Sequence, residues 1–182
     1  AHLESAQADD LLGIALLDTG RARDAVDRLE AALQKRPDDP DLLYYLGQAH
    51  GRLAKRLIDR LRATHPDSPR VDLVFGEAMA AAQNRQAAEK HFRAALSARP
   101  ALRGVHYALG EMFLETGDYG KAETEFRAET QLAPGAADAA YKLGVVLLNV
   151  GRVTESISEL KRASDLQPGM PETLVELGKA LN

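Results

Sequence analysis

The sequence predicts an all-α chain of tandem helical hairpins, because three columns of residues recur along its 182 positions. In the first column a large apolar residue precedes glycine, at Leu12-Gly13, Leu46-Gly47, Phe75-Gly76, Leu109-Gly110, Leu143-Gly144 and Leu177-Gly178. The second column contains proline, at Pro37, Pro66, Pro100, Pro134 and Pro168. In the third, a small residue comes four positions before a large one, at Ala25/Leu29, Ala54/Ile58, Ala88/Phe92, Ala122/Phe126 and Ser156/Leu160. The columns share one fixed period, broken by a single shorter interval, and such a period indicates a repeat protein.

The glycine column predicts the first helix of each unit, which we call helix A. In most units the next large residue comes three positions after the glycine, for example at Leu16, Met79 and Phe113. It therefore lies at i+4 from the residue before the glycine, on the same helix face. A glycine inside a helix destabilises it by about 1 kcal/mol relative to alanine, so we expect another helix to approach the backbone closely there.

The remaining columns predict a second helix, helix B, and the turns around it. Gly20, Gly117 and Gly151 follow helix A and are expected to end it in a turn. The pair of small and large residues then begins the core face of helix B. Each proline ends helix B, because it lacks the N–H that would continue the hydrogen-bond ladder and disfavours a helical residue before it.

These columns resemble the signature of the tetratricopeptide repeat (TPR) family, W-x2-L-G-x2-Y, then A-x3-F, then P, with a period of about 34 residues. The tryptophan column departs from that signature in every unit, being occupied by Asp9, Leu43, Asp72, His106, Ala140 and Leu174. The resemblance implies an α-solenoid whose hairpins stack into a right-handed superhelix. In such arrays helices A line a concave groove and helices B lie outside.

The columns also divide the chain into repeats. The expected units are repeat 1 over 6–39, a shortened repeat 2 over 40–68, repeat 3 over 69–102, repeat 4 over 103–136, repeat 5 over 137–170 and a terminal helix A over 171–182. The chain begins with alanine and shows no basic head followed by an apolar run. We therefore expect a processed or trimmed piece of a longer protein, of bacterial type on its Ala- and Arg-rich composition.

Repeat 2 lacks five residues between its glycine and its proline, and these are the residues of the turn between helices A and B. Apolar residues recur at intervals of three or four across this region, at Leu42, Leu46, Ala49, Leu53, Leu57 and Leu61. We expect one continuous helix over 41–64 in place of a hairpin, and the alternative is a tight turn at His50-Gly51-Arg52. A continuous helix would divide the array in two and would invite a homodimer through the long helix or the terminal helix.

The composition excludes several kinds of site. The chain has no cysteine, which removes disulfides, thiolate metal sites and thiol nucleophiles. Its five histidines are dispersed, and the sequence has no phosphate-binding loop, dinucleotide fingerprint or nucleophile elbow. We therefore expect no catalytic residue, metal or cofactor, and no enzyme activity. No apolar run approaches the ~20 residues of a membrane span, so we expect a soluble protein, with cytoplasm and periplasm equally open.

The shortened repeat carries the densest basic run, formed by Arg52, Lys55, Arg56, Arg60 and Arg62. The run lacks the aromatic or base-reading side chains that nucleic-acid binding adds to phosphate contacts, so we expect no nucleic-acid partner. We interpret the run as a solvated helix face. Contact with the acidic fourth repeat of a neighbouring molecule is the alternative.

The family resemblance implies where a partner would bind. Side chains three before and one after the glycine column point into the groove of such arrays, and another set lies one turn beyond. The candidate residues are Tyr44, Gln48, Glu77, Tyr107, Glu111, Tyr141, Val145 and Asn149. Tyrosine, aliphatic, amide and carboxylate side chains together suit a peptide, and the glutamates favour a protein or peptide partner with basic and apolar residues. The alternative is that the tyrosines only cover helix A against its neighbours.

Glu129 departs from the small residue at the corresponding position of other repeats, which is Ala32, Ala95 or Ala163. A carboxylate at so tight a position must be paired or reach solvent. We expect it to be paired, with Arg103 and Arg162 as candidates.

The sequence therefore favours a non-catalytic protein-interaction scaffold. One alternative is a regulatory or substrate-binding region of a larger enzyme or assembly, whose catalytic domain lies outside this chain. Another is self-assembly through the terminal helix with its Leu174, Leu177 and Leu181.

Overall fold

A computed structural model describes residues 11–181, and all regular structure in that range is helical. The chain divides into two compact units, Ala1–Pro66 and Asp67–Asn182. The described part of the first unit contains α1 over residues 11–18, α2 over Ala22–Lys35 and α3 over Pro40–Thr64. The described part of the second contains α4 (Pro69–Ala81), α5 (Arg85–Ala98), α6 (Val105–Glu115), α7 (Tyr119–Leu132), α8 (Ala137–Asn149), α9 (Val153–Leu166) and α10 (Pro171–Leu181). The predicted all-α fold of helical hairpins is confirmed.

The prolines end helices as their position predicts. Helices α2, α3, α5, α7 and α9 each end two residues before a proline of the column, because the residue before proline avoids the helical conformation. Polar side chains begin several of the helices. At the start of α3, for example, the Asp39 carboxylate accepts hydrogen bonds from the backbone N–H groups of Asp41 and Leu42 at 3.1 and 3.2 Å, which satisfies two of the free donors of the first turn.

The turns that follow helices A use a left-handed residue. Gly20, Gly117 and Gly151 have φ angles of +78°, +73° and +76°, as expected for glycine just past a helix end. After α4 the same place is taken by Gln83, with φ of +58°. A side chain in this conformation is unfavourable, so this turn is strained relative to the other three.

In the first unit, α2 lies between α1 and α3 in the chain and contributes most of the core. Leu29 of α2 is fully buried, and a Cβ added to Gly13 of α1 would lie 2.8 Å from its Cγ atom. The buried cluster consists of Leu16, Leu17, Ala22, Ala25, Val26, Leu29, Ala32, Leu42 and Ala49.

Helix α3 runs for 25 residues without a break, passing through the position of the alternative turn at His50-Gly51-Arg52. Its first half contributes Leu42 and Ala49 to the core of the unit. Arg52 donates a hydrogen bond to the carbonyl of Leu17, and Arg56 donates one to the carbonyl of Gly20 at 2.9 Å. These two members of the basic run are exposed residues. Their guanidinium groups also satisfy carbonyl groups at the end of α1.

The second unit consists of three hairpins, formed by α4 with α5, α6 with α7 and α8 with α9, and α10 packs against α9. Its largest fully buried side chains are Phe92, Phe126, Leu102, Leu109, Leu143, Leu147 and Leu160. Within this unit α5 also contacts α6 and α7 contacts α8, so one apolar core continues from hairpin to hairpin.

The glycine column shows where helices approach each other closely. In each hairpin of the second unit, a Cβ added to the glycine would lie between 2.4 and 2.7 Å from a side chain of helix B. The pairs are Gly76/Phe92, Gly110/Phe126 and Gly144/Leu160. At Gly47 and Gly178 such a Cβ would meet nothing within 4 Å. These two glycines occupy the same column as the others, but no described helix B packs against them.

Candidate functional site

A cavity of about 240 Å³ opens between α4, α5 and α6. It is lined by Glu77, Ala80, Ala81, Gln83, Phe92, Ala108, Glu111, Met112 and Glu115. Phe92 and Met112 are buried, whereas the three glutamates are half-buried or exposed. The cavity therefore combines apolar side chains with three carboxylates contributed by two successive helices A.

Glu77 and Glu111 reach this cavity because both stand one residue after the column glycine, on helices A that are one repeat apart. Burial raises the pKa of the Glu77 carboxyl, and the positive charge of Arg70 partly opposes that rise. Desolvation favours the neutral form of a carboxylic acid. A cation placed beside Glu77 would therefore relieve an unfavourable charge.

Glu111 has a cationic and an aromatic neighbour. Lys142 of α8 places its Nζ 2.8 Å from Glu111 Oε1, and the hydroxyl group of Tyr107 lies beside Glu111. Burial, followed by the negative charge of Glu111, raises the pKa of the Tyr107 phenol well above its ordinary value. The ring of Tyr107 packs edge-on against Phe126, with 5.7 Å between ring centroids. Tyr107 thus covers the core with its ring and keeps its hydroxyl group close to Glu111.

Tyr141 lies on a second concave surface, with Lys142 and residues at the start of α10. That surface is lined by Asp138, Tyr141, Lys142, Gln167, Gly169, Met170, Pro171 and Glu172. Burial, and then the charge of Glu176, raise the pKa of Tyr141. Lys142 belongs to this surface and also pairs with Glu111, so it links the surroundings of Tyr141 to those of the cavity.

The other candidate residues lie outside the cavity. Val145 is half-buried on α8, and Asn149 donates its side-chain amide to the carbonyl of Val145 at 2.8 Å. Tyr44 and Gln48 are exposed on α3, in the first unit, where the Tyr44 ring contacts that of Tyr45 with 5.3 Å between centroids. The structure thus brings Glu77 and Glu111 together in one cavity, with Tyr107 beside them.

Hydrogen bonds between buried or half-buried side chains connect helix A to helix B in two hairpins. Asp72 lies 2.9 Å from Nδ1 of His91, and in the next hairpin Nδ1 of His106 lies 2.6 Å from Glu125. Arg93 adds a second bond to Glu125, at 3.0 Å. Asp72 and His106 occupy the tryptophan column one full repeat apart, and their partners show the same spacing. These two contacts were not predicted from the sequence. The equal spacing of the two pairs along the chain is the pattern that could have indicated them.

Glu129 is paired, but not with an arginine. Its Oε1 and Oε2 atoms accept the backbone N–H of Gly104 at 2.9 and 3.0 Å. The expected partners Arg103 and Arg162 are therefore wrong. Arg162 instead donates to the carbonyl of Pro134 at 2.8 Å. The carboxylate satisfies a main-chain donor at the start of α6, where negative charge is favourable.

Two kinds of site are absent from residues 11–181. In that range no group of three or more His, Asp or Glu side chains is placed to hold a metal ion. None of the described helices is both long and apolar enough to span a bilayer.

Comparison with known proteins supports the family resemblance. The family model for the tetratricopeptide repeat matches residues 11–55, 73–137 and 107–171, which together exceed half of the chain. No curated protein has a significant match. The resemblance stated from the residue columns is confirmed by the family match.

Solved structures with the same fold include TPR proteins. A thermophilic TPR protein of Thermus thermophilus is 23% identical, with a TM-score of 0.58 over 97% of this chain and 98% of that chain. YrrB, a TPR protein with an unusual peptide-binding site, is 19% identical, with a TM-score of 0.56 over 92% of this chain and 89% of that chain. The first TPR domain of Spaghetti (RPAP3), bound to an HSP90 peptide, is 16% identical, with a TM-score of 0.61 over 63% of this chain and 90% of that chain.

Proposed function

Because the chain belongs to the tetratricopeptide repeat family, we propose that it is a non-catalytic scaffold that binds a segment of a partner protein. The proposed binding face is formed by helices A of the second unit. The partner segment places a lysine or arginine side chain in the cavity beside Glu77, Glu111 and Glu115, and apolar side chains against Tyr107 and Tyr141.

The cavity between α4 and α6 is the observation that carries this proposal. Its three carboxylates surround an apolar interior containing Phe92 and Met112. Lysine and arginine have an apolar stem and a charged end, so one such side chain matches both parts of the cavity. The stem would contact the apolar residues, and the charged end would pair with the glutamates.

The electrostatics of the site agree with a cationic ligand. Burial raises the pKa of the Glu77 carboxyl despite the opposing charge of Arg70, which means that its ionised form is not fully solvated. Glu111 already pairs with Lys142, but that lysine approaches from α8, on the side away from α4. A positive charge in the cavity would therefore act mainly on Glu77 and Glu115.

The tyrosines supply the apolar part of the proposed face. Tyr107 and Tyr141 are half-buried, so each ring is held by packing and keeps part of its surface exposed. Ordered aromatic rings give a large contact area at a small entropy cost. They are suited to hold apolar side chains of the partner next to the cationic one.

Peptide binding by proteins of similar fold gives the proposal a precedent. The Spaghetti domain is bound to an HSP90 peptide and YrrB has a peptide-binding site. Their low identity to this chain means that only the general mode of binding is proposed here, and the partner segment is defined by the chemistry of the cavity.

A displayed library of random peptides, selected on the immobilised full chain, tests the proposal. We expect the selected peptides to contain a lysine or arginine flanked by apolar residues. The tightest peptide is then labelled, and its affinity is measured by fluorescence anisotropy. Replacing its basic residue with glutamine should weaken binding by about tenfold or more, and added salt should weaken it as well.

Variants of the chain locate the binding face. The triple variant Glu77→Gln/Glu111→Gln/Glu115→Gln should weaken the same peptide by about tenfold or more. Asp165→Asn, a neutralised carboxylate exposed on α9, should leave the affinity unchanged. Selected peptides without basic residues, or an unchanged affinity in the folded triple variant, would contradict the proposal. So would unchanged binding by a folded Tyr107→Ala/Tyr141→Ala variant.

A further inference from the structure

One face of α3, which we call the open face, has no helix against it in the described part of the first unit. Its residues alternate at intervals of three and four: Tyr44, Gly47, Gly51, Ala54, Ile58 and Leu61. Leu42 and Ala49 are buried on the opposite side of the helix. A Cβ added to Gly47 or Gly51 would meet no atom within 4 Å, so the centre of the open face is accessible.

The open face contains both halves of a contact that the regular hairpins make internally. In those hairpins the column glycine of helix A packs on the large third-column residue of helix B, as Gly110 packs on Phe126. The corresponding residues of the shortened repeat are Gly47 and Ile58, and both lie on α3. Their separation of three helical turns is about 16 Å along the axis and leaves them on almost the same side of the helix. A single copy of α3 cannot bring them together, whereas two antiparallel copies can.

We propose that this chain forms a homodimer in which the open faces of two copies pack with their α3 helices antiparallel around a two-fold axis. Gly47 of each copy lies against Ile58 of the other. The same register pairs Gly51 with Ala54 at the centre and Tyr44 with Leu61 at the ends. Alternation by three and four is the pattern of a two-stranded coiled coil, and the small central residues let the helix axes approach to about 8 Å.

Apolar side chains flank this register. Leu43, Tyr44 and Leu57 are 49%, 61% and 61% exposed, which is high for large apolar residues on one helix. In the antiparallel register Leu43 of one copy lies along the same flank as Leu57 of the other. The dimer would therefore remove the exposed apolar surface of α3 from water, which is favourable in proportion to the area buried.

Charge complementarity favours a second copy as the occupant, and the antiparallel direction in particular. Asp41 is exposed near the start of α3, and Arg62, near its end, lies 3.7 Å from Asp59 of its own helix. The register brings Asp41 of each copy close to Arg62 of the other, twice by symmetry. A parallel pair would instead place the basic ends of both helices together, which is unfavourable.

The oligomeric state of the full chain is the first test. Sedimentation velocity from about 1 µM to about 300 µM should show a monomer–dimer equilibrium, because dimerisation depends on concentration. Gly51→Arg, at the centre of the open face, should raise the dimer dissociation constant by about tenfold or more. Gly120→Arg, at an exposed glycine of α7 with nothing within 4 Å of an added Cβ, makes the same charge change and should leave the dimer intact.

The register is tested by cross-linking, since the natural chain has no cysteine. Positions 44 and 61 of one α3 are about 25 Å apart, too far for a disulfide within one chain. Tyr44→Cys/Leu61→Cys should therefore form covalent dimers under oxidised glutathione. Tyr44→Cys/Arg60→Cys moves the second thiol to the opposite side of the helix and should not form them.

Four results would overturn the inference. They are a monomer at every concentration, a dimer unaffected by Gly51→Arg, equal cross-linking in the two double-cysteine variants, and cross-linking of Tyr44→Cys alone, which would indicate a parallel pair. A dimer that survives Gly51→Arg would place the interface elsewhere, with α10 the next surface to examine. The peptide proposed for the second unit uses none of these residues, so either proposal can fail without the other.

Discussion

The shortened repeat and the hairpin of α6 and α7 carry the same residue columns but build different structures. In the hairpin, Gly110 and Phe126 lie on two helices and contact each other closely. In the shortened repeat, Gly47 and Ile58 lie on one uninterrupted helix, and a Cβ added to Gly47 would meet nothing within 4 Å. The column residues define which surfaces fit together. The five residues of the missing turn decide whether those surfaces can meet within one chain.

The two regions should differ most in the stability lost when the large residue of the third column is replaced by alanine. Phe126→Ala should lower the free energy of unfolding by about 3–5 kcal/mol, because it leaves a cavity beneath a fully buried ring. Ile58→Ala, at a position only partly buried, should lower it by less than about 1.5 kcal/mol. Urea unfolding followed by circular dichroism, at a concentration where the chain is monomeric, measures both. Equal losses would mean that Ile58 is packed in the monomer as Phe126 is.

Replacing the column glycine with alanine should change the free energy of unfolding in opposite directions in the two regions. A Cβ at Gly110 would lie 2.7 Å from the Phe126 ring, so Gly110→Ala should destabilise the chain by about 1–3 kcal/mol through overpacking. Gly47→Ala should stabilise the monomer by about 0.5–1 kcal/mol, because the new methyl group meets nothing and alanine favours the helix. The same unfolding measurement applies. A destabilised Gly47→Ala monomer would show that α3 is packed on that side.

The hairpins and their ends were predictable because local rules define them. Proline is accepted in the first turn of a helix, as at Pro40 and Pro69, but cannot continue a helix that is already under way. The columns place one proline after every helix B. The presence of Glu77 and Glu111 in one cavity follows from the same spacing, since equivalent positions on successive helices A lie side by side. Repetition therefore carries information about contacts between helices as well as about the helices themselves.

Details that depend on the path of a loop could not be predicted. Glu129 was expected to pair with an opposite charge, whereas its partner is the N–H of Gly104, and no sequence pattern shows which main-chain donor a connection will present. The amide of Asn149 similarly bonds to its own helix. Such local bonds compete with the contacts that a residue's type suggests.

A smaller effect on stability is expected at the turns between helices A and B. Regular hairpins reverse direction through a residue with left-handed backbone, whereas the interior of α3 contains no such residue. Gln83 holds that conformation with φ of +58°, where glycine is free of strain. Gln83→Gly should therefore raise the free energy of unfolding by about 1 kcal/mol. Ala94→Gly, at an exposed position in the middle of α5, is the control and should lower it by a similar amount. A loss of stability in Gln83→Gly would mean that the contacts of this side chain outweigh its backbone strain.

The smallest predicted effect is on α10, which resembles α3 in having an open column glycine, Gly178, but is packed firmly on its other side. Thr173 is fully buried there, and its hydroxyl group has no hydrogen-bond partner. Thr173→Val keeps the shape of the side chain and removes an unsatisfied polar group, so it should raise the free energy of unfolding by about 1 kcal/mol. Thr154→Val, at an exposed position of α9, should change it by less than about 0.5 kcal/mol. A midpoint of urea unfolding that falls in Thr173→Val would show that the hydroxyl group makes a stabilising hydrogen bond in the folded chain.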